Sequence, residues 1–225
     1  MKILDFLKLY GALVLFHLAV IYRQDEGQML WLSKPLLLVS LLAFAWHKKA
    51  DSKQDLSAFI GALFFSLVGD IALMIPDKMY FLLGMGAFAL AHLAYMLHYL
   101  KKGLKWNFTV LVSTLVVLAI ALYGLITLID LPAELSLPVY LYFVIIGGHF
   151  IISALAFKSG KINLYPLIGI LLFLFSDWWI AYHKFGDALA VDWHNNLLIM
   201  LSYAAAQGLI VLGVLAQDDQ IGSTS

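Results

Sequence analysis

The sequence predicts an all-α fold, a polytopic membrane bundle of about eight transmembrane helices, and three observations predict it. First, 63% of the 225 residues are hydrophobic and 12% are charged, about half of the roughly 25% charged residues in a soluble domain. The mean hydropathy, +0.93, agrees. Second, the apolar residues fall in runs of about 20, the length a helix needs to cross a bilayer. Third, the basic residues gather on alternate sides of those runs. Eight spans use most of 225 residues, so the chain reads as a single transmembrane domain over 1–225. No soluble catalytic domain of ordinary size fits beside it.

The first run covers 3–22. Met1, Lys2 and Lys8 give it the look of a secretory leader, but Tyr22-Arg23-Gln24-Asp25 lacks the small residues of a cleavage site, so it reads as the first span. Gln24-Asp25-Glu26-Gly27 ends it. The second run, 30–47, stops in the polar stretch from His47 to Gln54. The third and fourth, 56–75 and 79–100, flank Pro76-Asp77-Lys78, a tight turn through which proline cannot continue a helix. Lys101-Lys102-Gly103 closes the fourth. The fifth and sixth, 107–129 and 134–157, meet in the stretch from Asp130 to Pro138, where punctuation is weakest. The seventh covers 162–183 and the eighth 193–216.

Loop charges support this count. With the N-terminus inside, the inner segments hold Lys2, Lys8, Lys48, Lys49, Lys53, Lys101, Lys102, Lys105, Lys158 and Lys161. The outer segments hold Arg23, Lys78 and Lys184, and Lys34 lies at the outer end of the second span. Ten against three is a strong positive-inside bias, with both termini expected in the cytoplasm. Together with the lack of a eukaryotic retention signal, it points to a bacterial inner membrane. Acidic and basic residues balance at 14 each, which gives no attraction to nucleic acid. Cysteine is absent, which excludes disulfides, Fe–S clusters, thiolate metal sites and a Cys nucleophile. No HExxH or comparable metal spacing occurs.

The two halves resemble each other. Gly61-Ala-Leu-Phe-Phe-Ser-Leu-Val-Gly-Asp70 parallels Gly169-Ile-Leu-Leu-Phe-Leu-Phe-Ser-Asp177, with one residue fewer in the second copy. These segments lie four spans apart, hence in the same orientation, as in a parallel duplication of four helices plus four.

Asp70 and Asp177 are the residues that most need a chemical reason. Each lies about five to seven positions inside the outer end of its span, roughly 8–10 Å deep. An acid near a span centre costs about 2.5–3.5 kcal/mol on insertion scales. The bland alternative is that each carboxyl only caps a neighbour and fixes helix register. Against it, Ala62, Ser66, Gly69, Asp70 and Leu73 share one stripe of the third span, and Gly169, Phe173, Ser176, Asp177 and Ile180 repeat it on the seventh. Small residues beside each Asp permit close helix approach, so both carboxyls are expected inside the bundle.

Other spans offer partners. Phe88, His92, Tyr95 and Tyr99 share a face of the fourth, and Asn196, Met200, Tyr203 and Gln207 a face of the eighth. Lys34, before Pro35, is deep enough for its amine to reach either Asp. The sixth adds Tyr140, Tyr142 and His149. Trp31 and Trp106 read as interfacial anchors, His17 as a hydrogen-bonded packing residue, and His47, His183 and His194 as solvated span ends.

At these residues the chain resembles a known family. Ser33-Lys34-Pro35-Leu36 resembles its KP motif, and Phe64-Phe65-Ser66-Leu67-Val68-Gly69-Asp70 its GD motif. Gly84, Phe88, Ala91-His92 and Tyr95 resemble its G…F…AH..Y stretch, and Phe175-Ser176-Asp177 with Ala181 and Phe185 its SD…A…F element. In order and spacing these are similar to the YhhN family of polytopic membrane proteins. Trp178-Trp179, after the second Asp, are bulkier than that pattern. The resemblance implies hydrolysis of the vinyl ether bond of lysoplasmalogens, a lysophospholipid substrate, to a fatty aldehyde and glycerophospho-ethanolamine or -choline. It implies neither a metal nor an organic cofactor.

The chemistry of that bond suits the residues. A vinyl ether is hydrolysed by protonation of its β-carbon, capture of the oxocarbenium ion by water, and collapse of the hemiacetal. That calls for one carboxylic acid and one carboxylate, as in glycoside hydrolysis. Two carboxyls close together in a poorly solvated bundle favour unequal protonation. Asp70 and Asp177 are therefore the expected acid/base pair, sharing one cavity. Lys34, Ser66, His92, Tyr95, Ser176, Tyr203 and Gln207 are expected as supporting or substrate-binding residues. The rival reading is a proton-coupled transporter, which also uses paired intramembrane acids. It lacks the paired Gly/Pro interruptions that mark midplane substrate sites.

Overall fold

A computed structural model describes residues 2–23, 27–50, 52, 54–186 and 193–223. The loop residues Gln24, Asp25, Glu26 and Lys53 lie outside the described residues. The eight expected helices are all present: α1 (Ile3–Tyr22), α2 (Gln28–Lys49), α3 (Ser57–Leu73), α4 (Lys78–Leu100), α5 (Phe108–Leu128), α6 (Ala133–Lys158), α7 (Leu164–Phe185) and α8 (Trp193–Ser223). Seven are long and apolar enough to cross a membrane. The exception is α3, apolar but only 17 residues long, roughly 26 Å against a hydrocarbon core of about 30 Å. The protein is an integral, multi-pass membrane protein.

Local chemistry sets the helix ends. Asp77 caps α4, its carboxylate accepting from the Met79 and Tyr80 amides at 2.8 and 3.3 Å. Asn107 caps α5 through the Val110 amide, and Asn163 caps α7 through the Tyr165 amide. Each such cap is worth about 1 kcal/mol. In the weakly punctuated stretch after Asp130, α6 begins immediately after Pro132, the residue whose missing N–H a helix start tolerates. Pro138 is carried inside it.

Helix pairing repeats between the halves. The two most extensive contacts are α3 on α4 and α7 on α8. Likewise α1–α2–α3 pack in series, as do α5–α6–α7, and α4 meets α6 while α8 meets α2. A second sequence echo accompanies this: Leu32-Ser33-Lys34-Pro35 on α2 against Leu135-Ser136-Leu137-Pro138 on α6. The halves diverge at one place. In the first, α1 packs on α8; in the second, α5 packs on α7, and among the described residues no α-carbon of α4 lies within 8 Å of one in α5.

In lipid, helix association rests on close packing rather than on the hydrophobic effect. Gly69 lets the Phe88 ring of α4 sit on the α3 backbone, where a β-carbon would meet it at 2.7 Å. Gly169 admits Ile210 and the Ala206 carbonyl in the same way. One core runs through all eight helices; in the part shared by α1 and α2 the Phe6 and Phe44 rings stack 3.9 Å apart. His17 is buried there and pairs its Nδ1 with Ser33 Oγ at 2.8 Å, the packing role expected of it.

Candidate active site

Asp70, near the C-terminal end of α3, is buried at 2% exposure. Lys34 of α2 brings its ammonium to 3.6 Å from Oδ1, and the Tyr203 hydroxyl of α8 donates to Oδ2 at 2.9 Å. Gln207, one turn further along α8, donates from Nε2 to the Tyr203 oxygen at 3.3 Å and accepts at Oε1 from the Tyr95 hydroxyl at 2.9 Å. Four helices thus converge on one carboxylate. Ser66, one turn before Asp70, is fully buried on the same face.

Asp177, on α7, has a different set of partners and is partly exposed. The Tyr142 hydroxyl of α6 donates to its Oδ2 in a short hydrogen bond. The same hydroxyl lies 3.2 Å from His92 Nε2, and His92 Nδ1 faces His149 Nδ1 at 3.0 Å. Two facing ring nitrogens hydrogen-bond only if one carries the proton and the other does not. This gives the chain two consistent directions. With Asp177 ionised, His149 donates to His92, His92 to Tyr142, and Tyr142 to the carboxylate. With Asp177 protonated, every donor reverses and both imidazoles exchange tautomers. The far end of the chain, His149 Nε2, is buried without a hydrogen-bond partner.

The two carboxyls therefore belong to separate hydrogen-bond networks, and Phe173 joins them. Its ring lies 5.3 Å from that of Tyr203, 4.7 Å from His92 and 5.8 Å from Phe88. A cavity of about 820 Å³ opens beside Asp177, walled by α4, α5, α6 and α7 and by Leu73 at the end of α3, with an almost wholly apolar lining. Asp70 does not line it. The Phe88 ring does, and it is seated on Gly69, the chain neighbour of Asp70. The expectation of one cavity shared by both acids is therefore not met: Asp177 lines the cavity and Asp70 does not.

Three contacts cross between elements where α4 and α6 begin and α7 ends. Lys78 pairs with Glu134, joining the N-termini of α4 and α6. The Asp130 amide donates to the Phe185 carbonyl at 3.0 Å, beside the bridge between Ile129 and Gly186. The Lys184 ammonium lies 4.5 Å from the centre of the Phe81 ring.

The expected supporting residues divide between the two networks. Lys34, Tyr95, Tyr203 and Gln207 serve Asp70, and His92 serves Asp177. Ser176 instead donates to the Ile199 carbonyl at 3.2 Å, so it fastens α7 to α8. His183, expected to be solvated, has a buried Nε2 without a partner. Tyr142 and His149 were singled out only as polar residues of the sixth span; their i, i+7 spacing on an otherwise apolar helix is the signal that puts both on the inner face. Among the described residues no group of three or more His, Cys, Asp or Glu is placed to hold a metal.

The sequence model described as the YhhN family matches residues 29–214. Human lysoplasmalogenase TMEM86B is 34% identical over 197 residues, covering 84% of this chain and 78% of the human protein. The pig protein of the same name is 34% identical over 184 residues, covering 81% of this chain and 74% of its own. The rat protein is 30% identical over 197 residues, covering 84% and 76%. No solved structure matches.

Proposed function

This chain belongs to the YhhN family, and we propose that it is a membrane-embedded hydrolase that cleaves the vinyl ether bond of lysoplasmalogens, releasing a fatty aldehyde and a glycerophospho-ethanolamine or -choline. One observation carries the reading beyond its lysoplasmalogenase relatives: an ionisable carboxyl, Asp177, sits in the wall of an apolar cavity within the spans. A charged group there is costly unless it is used.

The networks divide the labour. Asp70 has an ammonium 3.6 Å away and a phenol donating to it, which suits the carboxylate. Asp177 faces the cavity and has only the Tyr142–His92 chain, which accommodates either protonation state, so it suits the acid. Asp177 gives its proton to the β-carbon of the alkenyl ether, and the oxocarbenium ion forms between the carboxylates. A water loses a proton to Asp70 as its oxygen bonds to the cationic carbon. Phe88 is the ring that must swing to join the two sides. The hemiacetal then collapses: its hydroxyl proton goes to Asp177, the carbon–oxygen bond to glycerol breaks, and Asp70 returns its proton to the leaving oxygen. Both carboxyls end as they began.

The lysine bias of the loops fits both termini in the cytoplasm of a bacterium, with the cavity toward the opposite leaflet. The decisive experiment gives purified protein in detergent a lysoplasmalogen and follows long-chain aldehyde. Release of aldehyde supports the hydrolase; a protein that stays folded and releases none, while moving protons or solutes in vesicles, overturns it in favour of a carrier.

A further inference from the structure

The cavity lies where the pseudo-symmetry of the halves breaks. The counterpart of α5 in the first half is α1, which packs directly on α8. Its Tyr10 hydroxyl donates to the Ala204 carbonyl at 2.8 Å, and its Tyr10 ring fills the space over Gly208. The equivalent contact between α5 and α4 is missing: no α-carbons of the two come within 8 Å. Both helices nonetheless wall the cavity, through Phe81, Met85 and Phe88 on one side and Ile120, Tyr123 and Gly124 on the other. Ile120 and Tyr123 are also exposed on the outer surface, at 67% and 70%. In a membrane-spanning helix that surface faces lipid.

Trp178 of α7 holds on to α5 at this place. Its indole N–H donates to the Ala121 carbonyl at 3.2 Å, and its ring lies against Gly124, where a β-carbon would stand 3.2 Å away. Asp70 is followed instead by Ile71, which is 41% exposed and makes no such strut.

We propose that the gap between α4 and α5 is a lateral portal through which the single hydrocarbon chain of a lysolipid passes from the bilayer, and that Trp178 is the positioning residue that props it open beside Asp177. The exposed Ile120 and Tyr123 put this side of the cavity against the bilayer, where the chain of a lysolipid is already dissolved. The lining suits a chain and little else, with Asp177 and the Tyr142 hydroxyl at the depth of the linkage. This rests on the hydrolase reading for the identity of the lipid, but the portal is testable without turnover.

The probe is a 1-alkyl lysophospholipid, which has no vinyl ether to cleave, carrying a diazirine at the chain end and photolysed with the protein in bilayer discs. Adducts are expected on α4 between 81 and 88 and on α5 between 117 and 128, suppressed at least fivefold by excess unlabelled alkyl lysolipid. Adducts spread evenly over lipid-facing positions of α1, α2 and α8 overturn the portal whether or not the protein is a hydrolase. The native chain has no cysteine, so spin labels at Leu83→Cys and Ile126→Cys report the α4–α5 separation directly. Trp178→Ala is expected to shorten that distance and cut specific adducts at least tenfold, and Trp178→Phe, which keeps the ring, to shorten it less. An unchanged distance with undiminished labelling removes Trp178 from its role.

Discussion

The ammonium of Lys34 stands 3.6 Å from Asp70 Oδ1, whereas Asp177 has no salt bridge among the described residues. The hydrolytic mechanism needs two carboxyls of different protonation, and this difference in counter-ion supplies a reason for it. Removing the carboxyl acidity from either side is expected to stop the reaction. Asp70→Asn and Asp177→Asn should each cut aldehyde release by about 10²–10⁴-fold, the usual contribution of a positioned acid or base. Detergent-stable elution and an unchanged helical spectrum check that folding survives. Near-native turnover from either variant would withdraw that Asp from the mechanism.

Lys34→Met strands a buried carboxylate. Breaking a well-buried ion pair costs about 3–5 kcal/mol, a figure to be discounted because the Lys34 side chain keeps 15% exposure. The expected outcome is a lower thermal midpoint that Lys34→Met/Asp70→Asn partly recovers. Additive losses in that double-mutant cycle would mean the two groups do not interact.

Tyr142→Phe keeps the ring and deletes the hydroxyl between Asp177 and His92. Leaving buried polar groups unpaired costs about 1–3 kcal/mol. Turnover should fall by at least tenfold, and more than in Tyr140→Phe, whose ring is on the exposed side of α6. Equal activities for the two variants would show that the His92–Tyr142 chain has no part in catalysis.

On the opposite side of the bundle, Lys101 donates to Asp55 Oδ2 at 2.9 Å, and the Ser57 amide donates to Oδ1 at 3.0 Å. The Lys101 hydrogen bond first, and the Ser57 amide second, hold the Asp55 carboxyl below its ordinary value of 3.8. A lowered folded value stabilises the fold above 3.8, and the benefit is lost as pH falls from there through the folded value. Asp55→Asn should therefore lower the midpoint slightly at pH 7 and progressively less below pH 3.8. A constant difference across that range would contradict the linkage.

Much of this arrangement is legible in the residues because lipid imposes so few options. Apolar runs and their breaks place all eight helices, with bounds within a few residues except that α8 continues seven residues past 216 to Ser223, and the cost of burying acid picks out Asp70 and Asp177. Partner choice is another matter. Whether Lys34 meets Asp70 or Asp177 depends on the rotation of α2 against two other helices, which a pattern along one chain segment does not encode. Ser176 shares a stripe with Asp177 yet turns its hydroxyl to the Ile199 carbonyl of α8, since a short side chain bonds what lies against it. The wall made by Phe88 and the strut made by Trp178 both depend on a glycine in a different helix, Gly69 and Gly124. Such complementarity exists only once helices are side by side.

The two halves share a helix-pairing pattern and each carries an acid, Asp70 on α3 and Asp177 on α7, but the surroundings of the two differ. In the later copy Leu137 stands where the earlier has Lys34, and it faces outward. Loss of a single positive charge is thus enough to make the twins unlike.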